Sequence, residues 1–106
     1  MNHVNENDWK IFRDMAPVIR ERYLSKKNQE LLDMLGDEQQ SHTERFWDVE
    51  ERTKEIAKIL RACLDGHSRS KMDLFMMVML SHGMLTDDDL DKYSEELREQ
   101  LRRHIR

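Results

Sequence analysis

Glycine and proline are scarce in this 106-residue sequence, which contains three glycines and one proline. Long loops and series of β-turns depend on these two residues, because each supports backbone conformations that turns require. Charged residues, in contrast, make up 38% of the chain, well above the roughly 25% of an average globular protein. We therefore predict a single all-α domain over residues 1–106, a compact helical bundle of about four helices.

Cysteine is almost absent, with Cys63 as its single occurrence. One cysteine cannot form an internal disulfide and cannot supply a cysteine-based zinc site, so the metal-finger classes are excluded. The sequence also lacks an apolar run of membrane-spanning length and the apolar segment of a signal peptide. We therefore predict a soluble, cytoplasmic protein that makes no contact with membranes.

The clearest helix signal lies in the middle of the chain. Ser41 and Glu44 have the spacing of a capping box, and apolar residues then recur at steps of three and four, which predicts an amphipathic helix over residues 43–65. Gly66 can adopt a positive φ and should end this helix. The apolar stripe contains Phe46, Val49, Ile56, Leu60 and Cys63.

Residues 70–83 are apolar on nearly every side and predict a helix at the centre of the fold, covered on more than one face. Ser68 or Ser70 could cap its start, and Gly83 should close it. A buried strand is the alternative, but the methionine content and the end signals favour a helix. Five of the eight methionines lie between residues 72 and 84, and they could instead line a partner-binding groove.

The C-terminal segment predicts one continuous helix over residues 86–106. Thr86 is followed by three aspartates, which suit the positive end of a helix dipole, and arginines gather at the other end. Its narrow apolar stripe, typical of an outer helix, consists of Leu90, Tyr93, Leu97, Leu101 and Ile105.

The N-terminal third predicts a helix over residues 8–35 with a bend or restart. Pro17 removes one helical hydrogen bond and disfavours helical geometry at the residue before it. Residues 25–28 form a second point where the helix could bend, and residues 36–40 should connect it to the next helix. We expect residues 1–6 to be frayed.

Helices of such unequal length in a short chain bury only a modest core. Trp9, Trp47 and the stripe of the last helix offer more apolar surface than a small core consumes. Pairing of two copies is the commonest way to cover such a surplus, so we predict a homodimer or a higher homo-oligomer.

Two candidate contact sites follow from charge. The loop 65–70 places His67 and Arg69 beside a predicted helix start, where an anion or a partner carboxylate could bind; its alternative is a simple polar turn. On the first helix, Arg13, Arg20 and Lys27 recur every seven residues and could follow a phosphate backbone.

The basic stretch has an acidic counterpart. Residues 10–27 carry a local charge of +4, whereas residues 87–99 carry −5. We expect the two helices to attract each other, within one chain or between copies, and we expect binding to duplex DNA to be weak and electrostatic.

No spacing in the sequence combines a nucleophile, a base and an oxyanion donor, so we predict no enzymatic activity, no cofactor and no metal. Asp87–Asp89 lack the alternating pattern of a calcium loop and should cap a helix instead. Cys63 should be a buried, unreactive thiol. The histidines, which form no metal-binding pair, are His3, His42, His67, His82 and His104.

Two functions remain open after this reading. The first is a small, non-enzymatic protein–protein interaction module, acting as an adaptor, inhibitor or regulator through its helix faces. The alternative is a nucleic-acid-associated regulator that uses the basic first helix.

Overall fold

The computed structural model describes residues 5–104, and this part of the chain consists of helices, turns and short connections, with no strand. The predicted all-α fold is confirmed. The helices are α1 (Glu6–Leu35), α2 (His42–Cys63), α3 (Met72–Ser81), α4 (Asp87–Leu90) and α5 (Glu95–His104), with a 3₁₀ turn (Arg69–Lys71) before α3.

The two long helices form an antiparallel hairpin that sets the elongated shape, 53 × 27 × 23 Å. Arg52 of α2 bonds to Glu30 of α1, and Arg20 in the middle of α1 bonds to the backbone carbonyl of Leu64, just after α2. The 30 residues of α1 correspond to about 45 Å at the rise of an α-helix, so this hairpin spans most of the molecule.

Pro17 lies inside α1, which continues through it without the predicted restart. A proline in a helix interior costs a hydrogen bond, but the neighbouring side chains of Met15, Ala16 and Ile19 are all buried. Packing on both sides of the proline therefore holds the chain in one helix.

Asn5 begins α1, although the expected frayed segment extended through residue 6. Its side-chain oxygen accepts hydrogen bonds from the backbone N–H groups of Asn7 at 2.8 Å and Asp8 at 3.2 Å. These bonds satisfy two of the donors that a helix start leaves free. Residues 1–4 lie outside the described part of the chain.

The hydrophobic core lies at one end of the hairpin. There, the N-terminal half of α1 and the last turns of α2 pack against α3, α4 and α5. The side chains with no exposed surface or almost none are Phe12, Ile19, Cys63, Leu64, Met76, Met79 and Leu101.

The helix α3 lies between α2 and α5, as expected of a helix covered on more than one side. Met72, Met76 and Met79 are buried, so the methionines form core rather than an open groove. Leu74 is an exception, with 54% of its surface exposed. The expected serine cap was wrong, because neither Ser68 nor Ser70 bonds to the start of α3 and the 3₁₀ turn leads into it.

The predicted single C-terminal helix is also wrong, because it is divided into α4 and α5. Ser94 starts the second part, and its hydroxyl accepts a hydrogen bond from the N–H of Leu97 at 3.2 Å. The buried carboxylate of Asp8 in turn accepts from the Ser94 N–H at 2.8 Å and from its hydroxyl at 2.6 Å. This contact fixes α5 to the start of α1.

Gly66 and Gly83 have φ angles of 67° and 68°, as predicted for residues that end helices. A search of the described helices finds none that is both long enough and apolar enough to cross a membrane.

Candidate protein-binding surface

Among the described residues, no helix packs over the second end of the hairpin. We call residues 28–54, the last turns of α1, the connection and the first turns of α2, the tip. The buried core residues of α1 end at Tyr23, and those of α2 begin at Ile56. Of the apolar side chains between these points, Leu24 and Leu31 pack partly against the core, whereas others are largely exposed.

Several large apolar side chains of the tip are exposed. The exposed fractions are 62% for Leu32, 48% for Leu35, 59% for Phe46 and 59% for Trp47. The two aromatic rings meet edge to face, with centroids 5.0 Å apart. Aromatic side chains are enriched among residues that dominate binding energy at protein interfaces, so this cluster has the composition of a binding surface.

A shallow pocket of about 330 Å³ opens beside this cluster. Leu35 of α1 forms one side, and Phe46 and Val49 of α2 form another. Thr53 also lines it, and its hydroxyl is engaged with the Val49 carbonyl at 2.7 Å, which leaves the methyl group to the pocket wall. The lining residues are Leu35, Phe46, Val49, Glu50, Thr53 and Lys54.

Specific hydrogen bonds hold the connection of the tip in place. Ser41 and Glu44 form the predicted capping box, with both bonds at 3.1 Å. The bond that the Ser41 N–H donates to the Glu44 carboxylate is the main cause that lowers the pKa of this carboxyl, and the Ser41 side chain lowers it further. Arg45 donates to the carbonyls of Gln40 at 2.9 Å and Leu35 at 3.3 Å. The apolar cluster is therefore presented on an ordered turn.

The tip also carries the excess negative charge of the molecule. It has eight acidic and three basic residues, a net charge of −5, whereas the whole chain has −4. The rest of the chain therefore has a net charge of +1. Within residues 5–104, six of the eight acids take part in no ion pair: Asp33, Asp37, Glu38, Glu44, Asp48 and Glu51.

The remaining two acids of the tip, Glu30 and Glu50, take part in ion pairs. The hydrogen bond from Arg52 lowers the pKa of the Glu30 carboxyl, and it raises the pKa of Arg52. On α2, Glu50 and Lys54 lie 2.6 Å apart at i and i+4, and this bond raises the pKa of Lys54. Such exposed pairs contribute little stability; that of Glu30 and Arg52 joins α1 to α2, whereas that of Glu50 and Lys54 lies within α2.

His67, one of the predicted contact residues, lies at the core end. Its Nε2 atom is 2.6 Å from the carbonyl oxygen of Cys63. The ring packs edge to face against Phe12 at 4.8 Å and Phe75 at 4.9 Å between centroids. The imidazole is thus engaged in the packing of this end.

Arg69 also has partners within the chain. Its guanidinium lies 3.1 Å from the carboxylate of Glu6 and 6.0 Å from the ring centroid of Trp9. Its side chain remains 56% exposed, so an anion contact at this position stays a prediction.

Two arginines of the basic stretch bind other parts of the same chain. Arg20 bonds to Asp65 at 3.1 Å, and Arg22 bonds to Asp89 and to the carbonyl of Met84 at 2.7 Å. Burial opposes ionisation of Asp89, but hydrogen bonds from Arg22 and Thr86 outweigh it, so the pKa of this carboxyl lies below its ordinary value. The attraction between α1 and the acidic C-terminal segment therefore acts within one chain.

The remaining residues of the predicted phosphate-binding row differ. Lys27 lies 3.7 Å from Glu30 and 5.4 Å from the ring centroid of Tyr23. Arg13 is exposed on α1. The row repeats in sequence, yet two of its three members are turned toward neighbours in the fold.

Cys63 is fully buried, and its thiol lies 3.7 Å from the sulfur of Met84. Burial raises the pKa of the thiol to about 11, which keeps it protonated near neutral pH. Among the residues that the structure describes, no group of three potential metal ligands is close enough to hold an ion.

The exposed tip cluster was missed by the sequence reasoning, which assigned Phe46 and Val49 to the core stripe of α2. Trp47 was recognised as surplus apolar surface, but the acidic residues around it were not considered. That local excess of acids was the signal that could have found this surface.

The fold and this surface define a class, an all-α protein with an ordered, acidic and apolar hairpin tip projecting from a small helical core. No protein-family model matches the chain, and comparisons with curated proteins and with solved structures find no match.

Proposed function

We propose that this protein is a non-enzymatic protein–protein interaction module, an adaptor, inhibitor or regulator, that docks its partner on the tip. The observation that carries the proposal is the exposure of Leu32, Leu35, Phe46 and Trp47 at 48–62%, on two helix ends that an ordered turn joins away from the core. Clustered apolar side chains rimmed by polar residues are typical of interaction sites on soluble proteins.

The alternative, a nucleic-acid-associated regulator, has less support. Arg20 and Lys27 of the expected contact row bond to acids of the same chain, as does Arg22. The tip itself has a net charge of −5 and would repel phosphates.

A homodimer stays a prediction. Two of its three motivating features are largely used within one chain. Trp9 stacks on Phe12 at 5.9 Å, and Tyr93, Leu97 and Leu101 of the predicted last stripe are buried in the core. Leu90 of that stripe is partly buried, and Ile105 lies outside the described residues. Trp47 remains exposed. Sedimentation equilibrium over a range of concentrations would test the dimer, and a single 12.9 kDa species would exclude it.

The proposed function can be tested by capture from nuclease-treated and untreated extracts, followed by binding of the purified partner. We expect a double variant with Leu32→Ser and Phe46→Ser to lose at least about ten-fold in affinity, since both side chains belong to the proposed contact. Leu74→Ser is the matched control, because Leu74 is a similarly exposed leucine, at 54%, on the core end. Equal loss in the control, or capture that disappears with nuclease, would contradict the proposal.

A further inference from the structure

We infer that the tip receives a basic, amphipathic helix of a partner protein. This inference rests on the proposed function and adds the chemistry of the partner to it. It follows from the shape of the apolar surface, the charge that surrounds it and the residues that a second copy could offer.

The apolar surface has the form that a helix requires. Phe46, Val49 and Thr53 follow one another at steps of three and four along α2, and Leu35 of α1 faces them across the pocket. Two antiparallel helices with an open apolar groove between them can accept the apolar stripe of a third helix. The groove is short, so affinity must also come from its surroundings.

Charge supplies the second part of the argument. Glu50 lines the pocket, and Glu51 follows Trp47 by four residues, on the same side of α2. Together with the other acids, they give the tip its net charge of −5. A helix with lysine or arginine beside its apolar stripe would complement this charge, whereas an acidic helix would be repelled.

A second copy of this chain fits less well. Two tips facing each other would bring two net charges of −5 together. The basic stretch of α1 cannot serve instead, because its apolar face, including Phe12 and Ile19, is buried in the core and its Arg20 and Arg22 are in ion pairs.

Three synthetic helical peptides test this inference by calorimetry against the full chain. The first has a leucine stripe with lysine on the remaining positions, and the second has the same stripe with glutamate. The third has the composition of the first in a scrambled order that forms no apolar face. We expect the lysine peptide to bind at least about ten-fold tighter than either of the others, with affinity that falls as salt is added.

Two variants locate the binding. The double variant with Leu32→Ser and Phe46→Ser should abolish binding of the lysine peptide. Replacing both Glu50 and Glu51 by glutamine should weaken it by about three- to ten-fold and reduce its salt dependence. The matched control replaces the adjacent glutamates Glu95 and Glu96 of α5, which are exposed at the core end, and should bind as the parent does.

The outcomes separate this inference from the proposed function. Equal binding of the lysine and glutamate peptides, lost with Leu32→Ser and Phe46→Ser, would overturn the basic partner and leave the docking surface in place. Tight binding of the scrambled peptide would show that charge alone drives the contact. It would overturn both the amphipathic partner helix and the proposed docking surface. Absence of binding by all three would overturn the basic helix, and the capture experiment would still decide the docking surface. Self-association that depends on Phe46 would assign the tip to a second copy instead.

Discussion

The two ends of the α1–α2 hairpin are made from the same two helices but treat their apolar residues in opposite ways. Phe12 of α1, at the core end, has no exposed surface, whereas Phe46 of α2, at the tip, is 59% exposed. The difference arises because α3, α4 and α5 return to only one end of the hairpin. An amphipathic pattern thus selects a helix face, and the tertiary fold decides whether anything covers it.

Polar residues show the same contrast. At the core end, Asp8 and Asp89 are buried and bond to groups far away in the chain, Ser94 and Arg22. At the tip, most acids take part in no ion pair within the described residues and are exposed. Charge therefore joins helices at one end and remains exposed to solvent at the other.

The largest effect that we expect to separate the two ends comes from a matched pair of phenylalanines. Phe12→Ala should lower the free energy of unfolding by about 3–5 kcal/mol, because it removes a fully buried ring and leaves a cavity. Phe46→Ala should change it by no more than about 0.5 kcal/mol, since the ring is largely exposed. Urea unfolding measures both. Equal losses of unfolding free energy would show that the tip is covered in solution and that the two ends do not differ.

A smaller difference is expected between two aspartates. Asp8→Ala should cost about 1–3 kcal/mol, because the partly buried Ser94 N–H and hydroxyl lose the buried carboxylate that accepts their bonds. Asp48→Ala, at an exposed position of the tip, serves as the control and should leave the melting temperature nearly unchanged. An unchanged melt for Asp8→Ala would mean that α5 does not depend on this contact.

Acidification should destabilise the core end of the molecule through protonation of Asp89. Because the pKa of this carboxyl is lower in the folded chain than its ordinary value of 3.8, its contribution to stability is complete above that value and is lost as pH falls through the folded pKa. Thermal melts of the parent should therefore fall more steeply below about pH 4 than those of Asp89→Asn. Asp48→Asn is the control at the tip. Parallel curves for the parent and Asp89→Asn would show that the ion pair with Arg22 contributes nothing.

The smallest effect is expected from the cap of α2 at the tip. Ser41→Ala removes the acceptor for the Glu44 N–H and should speed exchange of that amide about five-fold, since an N-cap favours the first turn of its helix. The global melting temperature should change little, because Ser41 and Glu44 are exposed and lie outside the hydrophobic core. A fall as large as that for Asp8→Ala would instead show that the two ends unfold as one unit.

Local signals predicted much of the secondary structure. The capping box at Ser41, the positive φ of Gly66 and Gly83, and the start of α4 at Thr86 are all present, because each depends on residues within one turn. Ser94 was missed as a cap, although the pair Glu95 and Glu96 after it repeats the pattern that follows Thr86. Leu90, Tyr93 and Leu97 recur at helical spacing across the break between α4 and α5, so their pattern indicates one continuous helix.

The predicted contact residues illustrate what spacing cannot show. His67 and Arg20 were chosen for their chemistry, and the fold places both against backbone carbonyls of the same chain. His67 bonds within one turn, to the Cys63 carbonyl four residues before it, whereas the bond of Arg20 joins α1 to the end of α2 across more than 40 residues. Sequence spacing has no access to such a contact.

The sequence by itself determined that this protein is helical, where most helices begin and end, and that its acids outnumber its bases between residues 28 and 54. Only the tertiary structure decided which part of the shared stripe of α2 would be buried, with Ile56 in the core and Phe46 in solvent. The physical reason is that hydrogen bonds, caps and periodicity act within a few residues. Burial depends on distant segments, which the bonds of Asp8 to Ser94 and of Arg22 to Asp89 hold against one end of the hairpin.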